Sequence, residues 1–226
     1  MVTALDAKEI ARRLGADLCG IADVDRFAGA PAGAHPRDTL PECRSVIVVA
    51  RRFLPGTARC GSTIPYTIVR NLLSGILDRL TFDLSCELEQ LGCIAVPTGA
   101  IGPTNRDPAT GRAMGLISLK HAAELAGLGH IGKNTLLVND RYGNMIWLGA
   151  VLTDARLAPD PVATYEVCPA SCEACLRACP VQALGDPAMD QAACWNHAFG
   201  TLDGGEWRIK CHRCRTVCPR SQGLPA

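Results

Sequence analysis

Two cysteine runs near one end of the chain constrain it most. The first, CPASCEACLRACP, places Cys168, Cys172, Cys175 and Cys179 at gaps of three, two and three residues, with proline after the last. The second, CHRCRTVCP, places Cys211, Cys214 and Cys218 at gaps of two and three, again closed by proline. Cys194 stands between them in AACWNH. These eight belong to a total of 13; Cys19, Cys43, Cys60, Cys86 and Cys93 are scattered through the first 93 residues, and none falls between 94 and 167. The opening MVTALDAKEIARRLG carries acids early and has no apolar core, so it does not read as a secretory signal, and a cytoplasmic location is expected. In such a chain, clustered thiols point to metal or redox chemistry rather than to a disulfide framework. The five scattered cysteines are read as small buried apolar residues.

A cubane iron–sulfur cluster takes four thiolates, and a closing Cys-Pro is a mark of ferredoxins with two such clusters. In those proteins the last cysteine of each run ligates the other cluster. Crossing the runs in that way puts Cys168, Cys172, Cys175 and Cys218 on one [4Fe–4S] cluster, and Cys179, Cys194, Cys211 and Cys214 on the second, with none of the eight left over. A zinc ribbon is the rival, since paired C-x2-C motifs also hold zinc, but a zinc site has no use for the Cys-Pro tail twice. The three-residue gap after Cys168 is one longer than the usual ferredoxin gap. Arg208, Lys210, Arg213, Arg215 and Arg220 surround the second run. They form either a patch that docks an acidic electron donor or simply a solvated charged face.

The rest of the 226 residues reads as an α+β fold, and the whole divides into residues 1–156 and a cysteine module at 157–226. Apolar content of 48% is ordinary for a globular chain, and a net charge of +1 gives no global field for nucleic acid or membrane. No run of eighteen apolar residues offers a spanning helix. Thr3-x-x-Asp6 is a capping box that opens a short helix ending near Gly15. LCGIADV (18–24), SVIVVA (45–50), CIAV (93–96), TLLVND and MIWLGAVLTD read as strands. A long helix begins near Pro65 and ends at Gly92, with Ile68, Leu72, Ile76, Leu80, Leu84 and Leu88 repeating every four residues. Residues 97–115 form a long loop, and LKHAAELAGLG (119–129) a helix stopped by glycine.

The stretch GLGHIGKNT (127–135) satisfies G-x-G-x-x-G at Gly127, Gly129 and Gly132, and nearly satisfies a phosphate-loop pattern ending at Lys133. Both nucleotide motifs need a strand before the glycines and a helix after them. Here the order is reversed, and Asn134 replaces the hydroxyl that would hold magnesium. Either the glycines simply stop a helix, or they let backbone approach something closely while Lys133 faces an anion.

AAELAGLGHIGKNTLLVNDRYGNMIWLGAVLTD, followed by the double-cluster module with Cys194 between its runs, resembles the epoxyqueuosine reductase family, and especially its short relatives. The resemblance is firm from about 118 to 220. It implies a nitroreductase-like N-terminal domain carrying a ferredoxin-like module, a cobalamin (or a flavin) in the N-terminal cavity, and a homodimer of the kind such domains form. It also implies that Gly127, Gly129, His130, Gly132, Lys133 and Asn134 wall the cofactor pocket. The family's proton-donating aspartate has Pro97 in its place here, within VPTG. Asp107, His130 and Tyr142 are then the candidate catalytic acids, with His121 and Arg106 as further options. The helical-repeat tail that the longer enzymes use for tRNA has no counterpart in this sequence. These two departures argue against epoxyqueuosine in tRNA as substrate.

Two functions are expected to compete. One is an oxidoreductase that takes single electrons from a low-potential ferredoxin- or flavodoxin-type donor and reduces a small-molecule substrate. The other is a partner protein that reduces or carries the corrinoid of another protein without turning over a substrate itself.

Overall fold

The computed structural model describes residues 2–107, 110–185, 189–201 and 204–225. The chain forms two compact units that interleave along the sequence. The first comprises residues 1–52, 73–129 and 147–164; the second comprises 53–72, 130–146 and 165–226.

The first unit is built on a sheet. Helix α1 (Ala4–Arg13) opens with the expected capping box, in which the Thr3 side chain accepts from the Asp6 amide and the Asp6 carboxylate accepts from the Thr3 amide. Strand β1 (Leu18–Asp23) pairs antiparallel with β2 (Ser45–Arg52), Ile21 opposite Ile47. The short helix α2 (Pro36–Thr39) lies between them in sequence. Helix α3 (Ile64–Gln90) is followed by β3 (Ala95–Pro97), the antiparallel two-residue strands β4 (Asn105–Arg106) and β5 (Ala113–Met114), and helix α4 (Leu119–Leu125). The chain then forms the small hairpin β6 (His130–Ile131) and β7 (Leu137–Val138), and the long strand β8 (Ile146–Thr153). The sheet order is β1-β2-β8-β3.

Helices cover both faces of that sheet, which is why β2 reads as an unbroken apolar run: its first six residues are all buried. Ile47, Val49, Ile21 and Val151 pack with Ile10 and Ala11 of α1 and with Leu77, Leu80, Leu84 and Leu88 of α3. On the opposite face α4 lies against β1 and β2. It sits so close that a Cβ on Gly20 would fall 2.3 Å from the Ala126 carbonyl oxygen.

The every-four leucine and isoleucine stripe of α3 does not form one face. Each four-residue step turns about 40° beyond a full turn, so twenty residues rotate the stripe by about 200°. Accordingly Ile68, Leu72 and Ile76 are 53%, 59% and 44% exposed, whereas Leu80, Leu84 and Leu88 are buried. Leu73 and Leu77 supply the buried face earlier in the helix. Leu77→Ala should therefore lower stability by about 2–5 kcal/mol, and Leu72→Ala by less than about 0.5 kcal/mol, read from urea midpoints at unchanged m-value. Gly92 (φ +84°) ends the helix as expected, with the Cys93 and Gly92 amides closing on the Leu88 and Glu89 carbonyls.

The second unit holds the cysteine runs on short elements: α5 (Ala174–Ala178), α6 (Gln191–Ala198), the hairpin β9 (Phe199–Thr201) and β10 (Trp207–Ile209), and α7 (Arg213–Thr216). Helices α5 and α7 pack together, bringing the two runs side by side. Residues 53–72 and 130–146 belong to this unit although they lie far upstream. Among the described residues no helix is long and apolar enough to cross a membrane.

Candidate metal centre

Local sequence places the eight thiols on short helices and turns, and the packing of α5 against α7 sorts them. Burial pushes the Cys218 thiol up, and Cys168, Cys175 and Cys172 push it the same way. Cys175, also raised by burial, feels Cys168 and Cys172. Cys194 is raised by burial and then by Cys179 and Cys211. Cys214 is pushed up to about 11, first by burial, with Cys194, Cys211 and Cys175 adding to it against the opposing charge of Arg215. Cys218 thus has Cys168, Cys172 and Cys175 near it, Cys194 has Cys179 and Cys211, and Cys214 has Cys194, Cys211 and Cys175.

Cys175, Cys194, Cys214 and Cys218 thus resist ionising unless bound cations offset the burial. Among the described residues no group of three or more His, Cys, Asp or Glu side chains is arranged to hold a metal ion. The sulfurs also receive amide hydrogen bonds, from Ala183 to Cys179 at 3.2 Å and from Lys133 to Cys168 at 3.5 Å. Such donors stabilise thiolates and raise the potential of a bound cluster. The donor sets therefore fit two iron–sulfur clusters in number and chemistry.

The GLGHIGKNT stretch is committed to nearby protein groups. The Lys133 ammonium donates to the carbonyls of Ala170 (2.8 Å), Cys172 (3.0 Å) and Pro169 (3.4 Å), bracing the loop that carries the first run. It thus faces carbonyl dipoles. Buried Asn134 donates to the Cys214 carbonyl at 3.2 Å and accepts from the Leu136 amide at 3.1 Å, so one side chain ties the hairpin to the second run. Gly132 lets backbone pass the Cys168 sulfur: a Cβ there would lie 3.3 Å from it. Gly127 (φ +75°) serves close approach in the first unit, since a Cβ would stand 2.1 Å from the Pro161 carbonyl oxygen. Gly129 is also glycine-specific in conformation, with φ +152°. The His130 ring meets Tyr165 edge-on at 5.7 Å.

The candidate acids divide between the units. Asp107, in the first, accepts from the Thr110 hydroxyl at 2.6 Å within the β4–β5 turn, next to Arg106, whose guanidinium donates to the Gly111 carbonyl. His121 bonds the Ser118 hydroxyl at 2.7 Å, and burial followed by Lys120 holds its pKa down. Tyr142, in the second unit, is half-buried under the Arg141 guanidinium, 4.9 Å from its ring centre. Pro97 sits in β3 opposite Val151. Just after it an exposed carboxylate missed in the sequence, Asp78, accepts from the Ala100 amide at 2.7 Å. Its position on α3 carries no local signal, because only folding brings the helix to that turn.

Two further expectations are corrected. Arg215 does not belong to a surface patch: it is buried, with its guanidinium 5.6 Å from the Phe53 ring centre. Phe53 stacks on Tyr66, and Tyr66 on His212 at 4.1 Å, so a ring column rises beside Cys211 and Cys214. Of the scattered cysteines, Cys43 is buried and raised to about 11 by burial, and burial raises Cys19 to about 12, but Cys60 is exposed.

Fold and cysteine constellation together define the class, a mixed α/β redox protein of the oxidoreductase type. No protein-family model matches the chain. It is 33% identical over 241 aligned positions, spanning 96% of its length, to an epoxyqueuosine reductase of Gloeobacter violaceus, and covers 68% of that protein. The chain belongs to the epoxyqueuosine reductase family. The fold agrees: the Streptococcus thermophilus epoxyqueuosine reductase structure matches 98% of the chain at a TM-score of 0.68 and 21% identity, with 67% of that enzyme covered. A catabolic reductive dehalogenase matches 96% of the chain at 0.70 and 18% identity, with 32% of that enzyme covered. One epoxyqueuosine reductase neighbour (TM-score 0.63, 22% identity, 96% of this chain and 64% of the enzyme) was solved with an epoxyqueuosine-modified tRNA stem loop. A dehalogenase neighbour (0.59, 16%, with 96% and 29% covered) bears on B12-dependent dehalogenation.

Proposed function

We propose that this chain is an iron–sulfur reductase with a ferredoxin-like module and a nitroreductase-like cofactor unit. Cys168, Cys172, Cys175 and Cys218 hold one [4Fe–4S] cluster, and Cys179, Cys194, Cys211 and Cys214 hold the other. The observation that carries the reading is the set of eight cysteines, two runs with closing prolines and Cys194 between them, with helices α5 and α7 of the runs packed together. The clusters supply one-electron transfer. The chain's own residues place and tune them: Lys133 braces the first cysteine loop, Asn134 ties in the second, and the Lys133 and Ala183 amides donate to sulfur.

A second cofactor held by the N-terminal unit would receive those electrons. Cobalamin is favoured over flavin by the B12-dependent dehalogenase among the fold's neighbours. Of the glycine-rich stretch, Gly127 and Gly129, which lie in that unit, are assigned to its surroundings, whereas Lys133 and Asn134 are held by the cysteine loops. Asp107, His130 and Tyr142 remain the proposed acids. The substrate is a small molecule rather than epoxyqueuosine in tRNA, on the strength of Pro97 where the family resemblance sets an acid. That same replacement favours a second reading, a corrinoid-reducing partner protein that needs no proton donor.

The test is anaerobic titration of cluster-reconstituted protein with cob(II)alamin. About eight iron per chain and a stoichiometric base-off cobalt signal by electron paramagnetic resonance are expected. Iron near zero would defeat the cluster assignment, and an unchanged cobalt spectrum would defeat the corrinoid one. Turnover of candidate oxidants then separates the enzyme from the partner protein.

A further inference from the structure

We propose that the exposed face formed by α6, the β9–β10 hairpin and residues 210–216 docks a small acidic one-electron carrier protein, and that electrons enter at the set of Cys179, Cys194, Cys211 and Cys214. The inference rests on the iron–sulfur reading and adds the entry point and the partner's chemistry.

A groove of about 450 Å³ opens in the second unit, with Ser62, Pro180, His197, Lys210, Cys211 and Arg213 among its walls. It reaches that set through Cys211 and through residues next to two of its other members. Cys211 lines it, Pro180 follows Cys179, and His197 lies one helical turn beyond Cys194. Lys210 and Arg213 are exposed, and no carboxylate is among the described lining residues.

The groove continues into an apolar surface. The Lys210 ammonium lies over Gly200, 3.2 Å from where a Cβ would stand, which carries the cationic rim to the hairpin. There Trp195, Phe199 and Trp207 form a ladder with ring centres 5.9 and 6.1 Å apart. Trp195 and Trp207 are 36% and 42% exposed. The Arg70 guanidinium lies 5.3 Å from the Trp207 ring centre. Exposed tryptophans beside Lys210 and Arg213 have the make-up of a binding surface, with the exposed Glu206 of the same hairpin paired to Arg208: aromatic anchors give contact energy and the cations of the groove steer an oppositely charged partner. Electron-transfer encounters are small and transient, so a groove and one hairpin offer sufficient area.

In the transfer the reduced carrier loses one electron and the cysteine-held cluster gains it. No bond forms or breaks, and no proton is required at the cysteines. A polyanion with stacking bases would present similar chemistry to this face, and the experiment separates the two.

The holo-protein is titrated with a small, acidic, oxidised flavodoxin, reading tryptophan fluorescence and heat at several salt concentrations. Iron content and the visible spectrum are recorded for every variant, so loss of the clusters is seen independently of loss of docking. Expected are salt-dependent binding, a rise of about tenfold or more in Kd for Lys210→Glu with Arg213→Glu, and a comparable rise for Trp207→Ala. Reduction by methyl viologen radical, which needs no docking face, should be unchanged. Lys210→Arg should bind as the parent does. Flavodoxin binding that none of these variants alters overturns the proposal, as does displacement of flavodoxin by a single-stranded RNA oligonucleotide of equal charge. Trp207→Ala leaves all cysteine neighbours in place, so it decides the question should charge reversal disturb iron retention.

Discussion

Cys218→Ser is expected to remove about four of about eight iron atoms, and Cys168→Ser is expected to remove the same four. The two cysteines lie at opposite ends of the module, yet Cys168 stands among the thiols that raise Cys218. The double variant Cys168→Ser with Cys218→Ser should therefore keep about half the iron, because residues serving one cluster act as a unit and their losses do not add. Cys211→Ser with Cys218→Ser should lose nearly all of it, since those two serve different sets. A chain in which each run held its own cluster would behave in the opposite way: the Cys211 and Cys218 pair would retain half. Iron analysis of the four variants thus decides whether the runs cross.

Gly143→Ala is expected to be more damaging than its one methyl suggests. Gly143 has φ +60°, and a Cβ there would stand 2.0 Å from the Arg220 carbonyl oxygen and 2.4 Å from the Ser221 carbonyl carbon. Both contacts are backbone, so neither can turn aside. The segment they belong to follows Cys218 directly and is held to the same turn by the Leu224 amide bonding the Asp140 carbonyl at 2.7 Å. A methyl at 143 must push that segment away and displace Cys218 with it. A loss of about 4 kcal/mol or more is expected, together with poor iron retention in the Cys218 set. Gly92→Ala is the control. It shares the left-handed backbone (φ +84°) but meets nothing within 4 Å, so only strain of about 1 kcal/mol should appear. Equal thermal midpoints for the two variants would refute the crowding at Arg220.

Local signals carried much of the architecture. The capping box at Thr3, the apolar run in β2, the glycine stop at Gly92 and the α4 helix all appear where short-range pattern put them. Period misled in α3, because a four-residue repeat drifts around a 3.6-residue helix, and the stripe leaves the core in its first half. The strand expected at TLLVND shrinks to Leu137–Val138, since Thr135 takes φ +62° and the preceding residues serve the cysteine loops.

The eight cysteines, their spacing and their closing prolines were written in the sequence, because ligand count and gap length are one-dimensional quantities; the crossed pairing proposed above comes from ferredoxin precedent. What Lys133, Asn134, Arg215 and Gly143 are for was not. Each acts on a partner 35 or more residues away along the chain or on a ring reached only across the fold: Lys133 on the carbonyls at 169–172, Asn134 on Cys214, Arg215 on Phe53, Gly143 on the backbone of Arg220. A glycine-rich motif with a lysine has the same letters whether it cradles phosphate or braces a peptide loop. Only the elements that flank it, and the carbonyl oxygens that tertiary packing brings to the ammonium, decide between them.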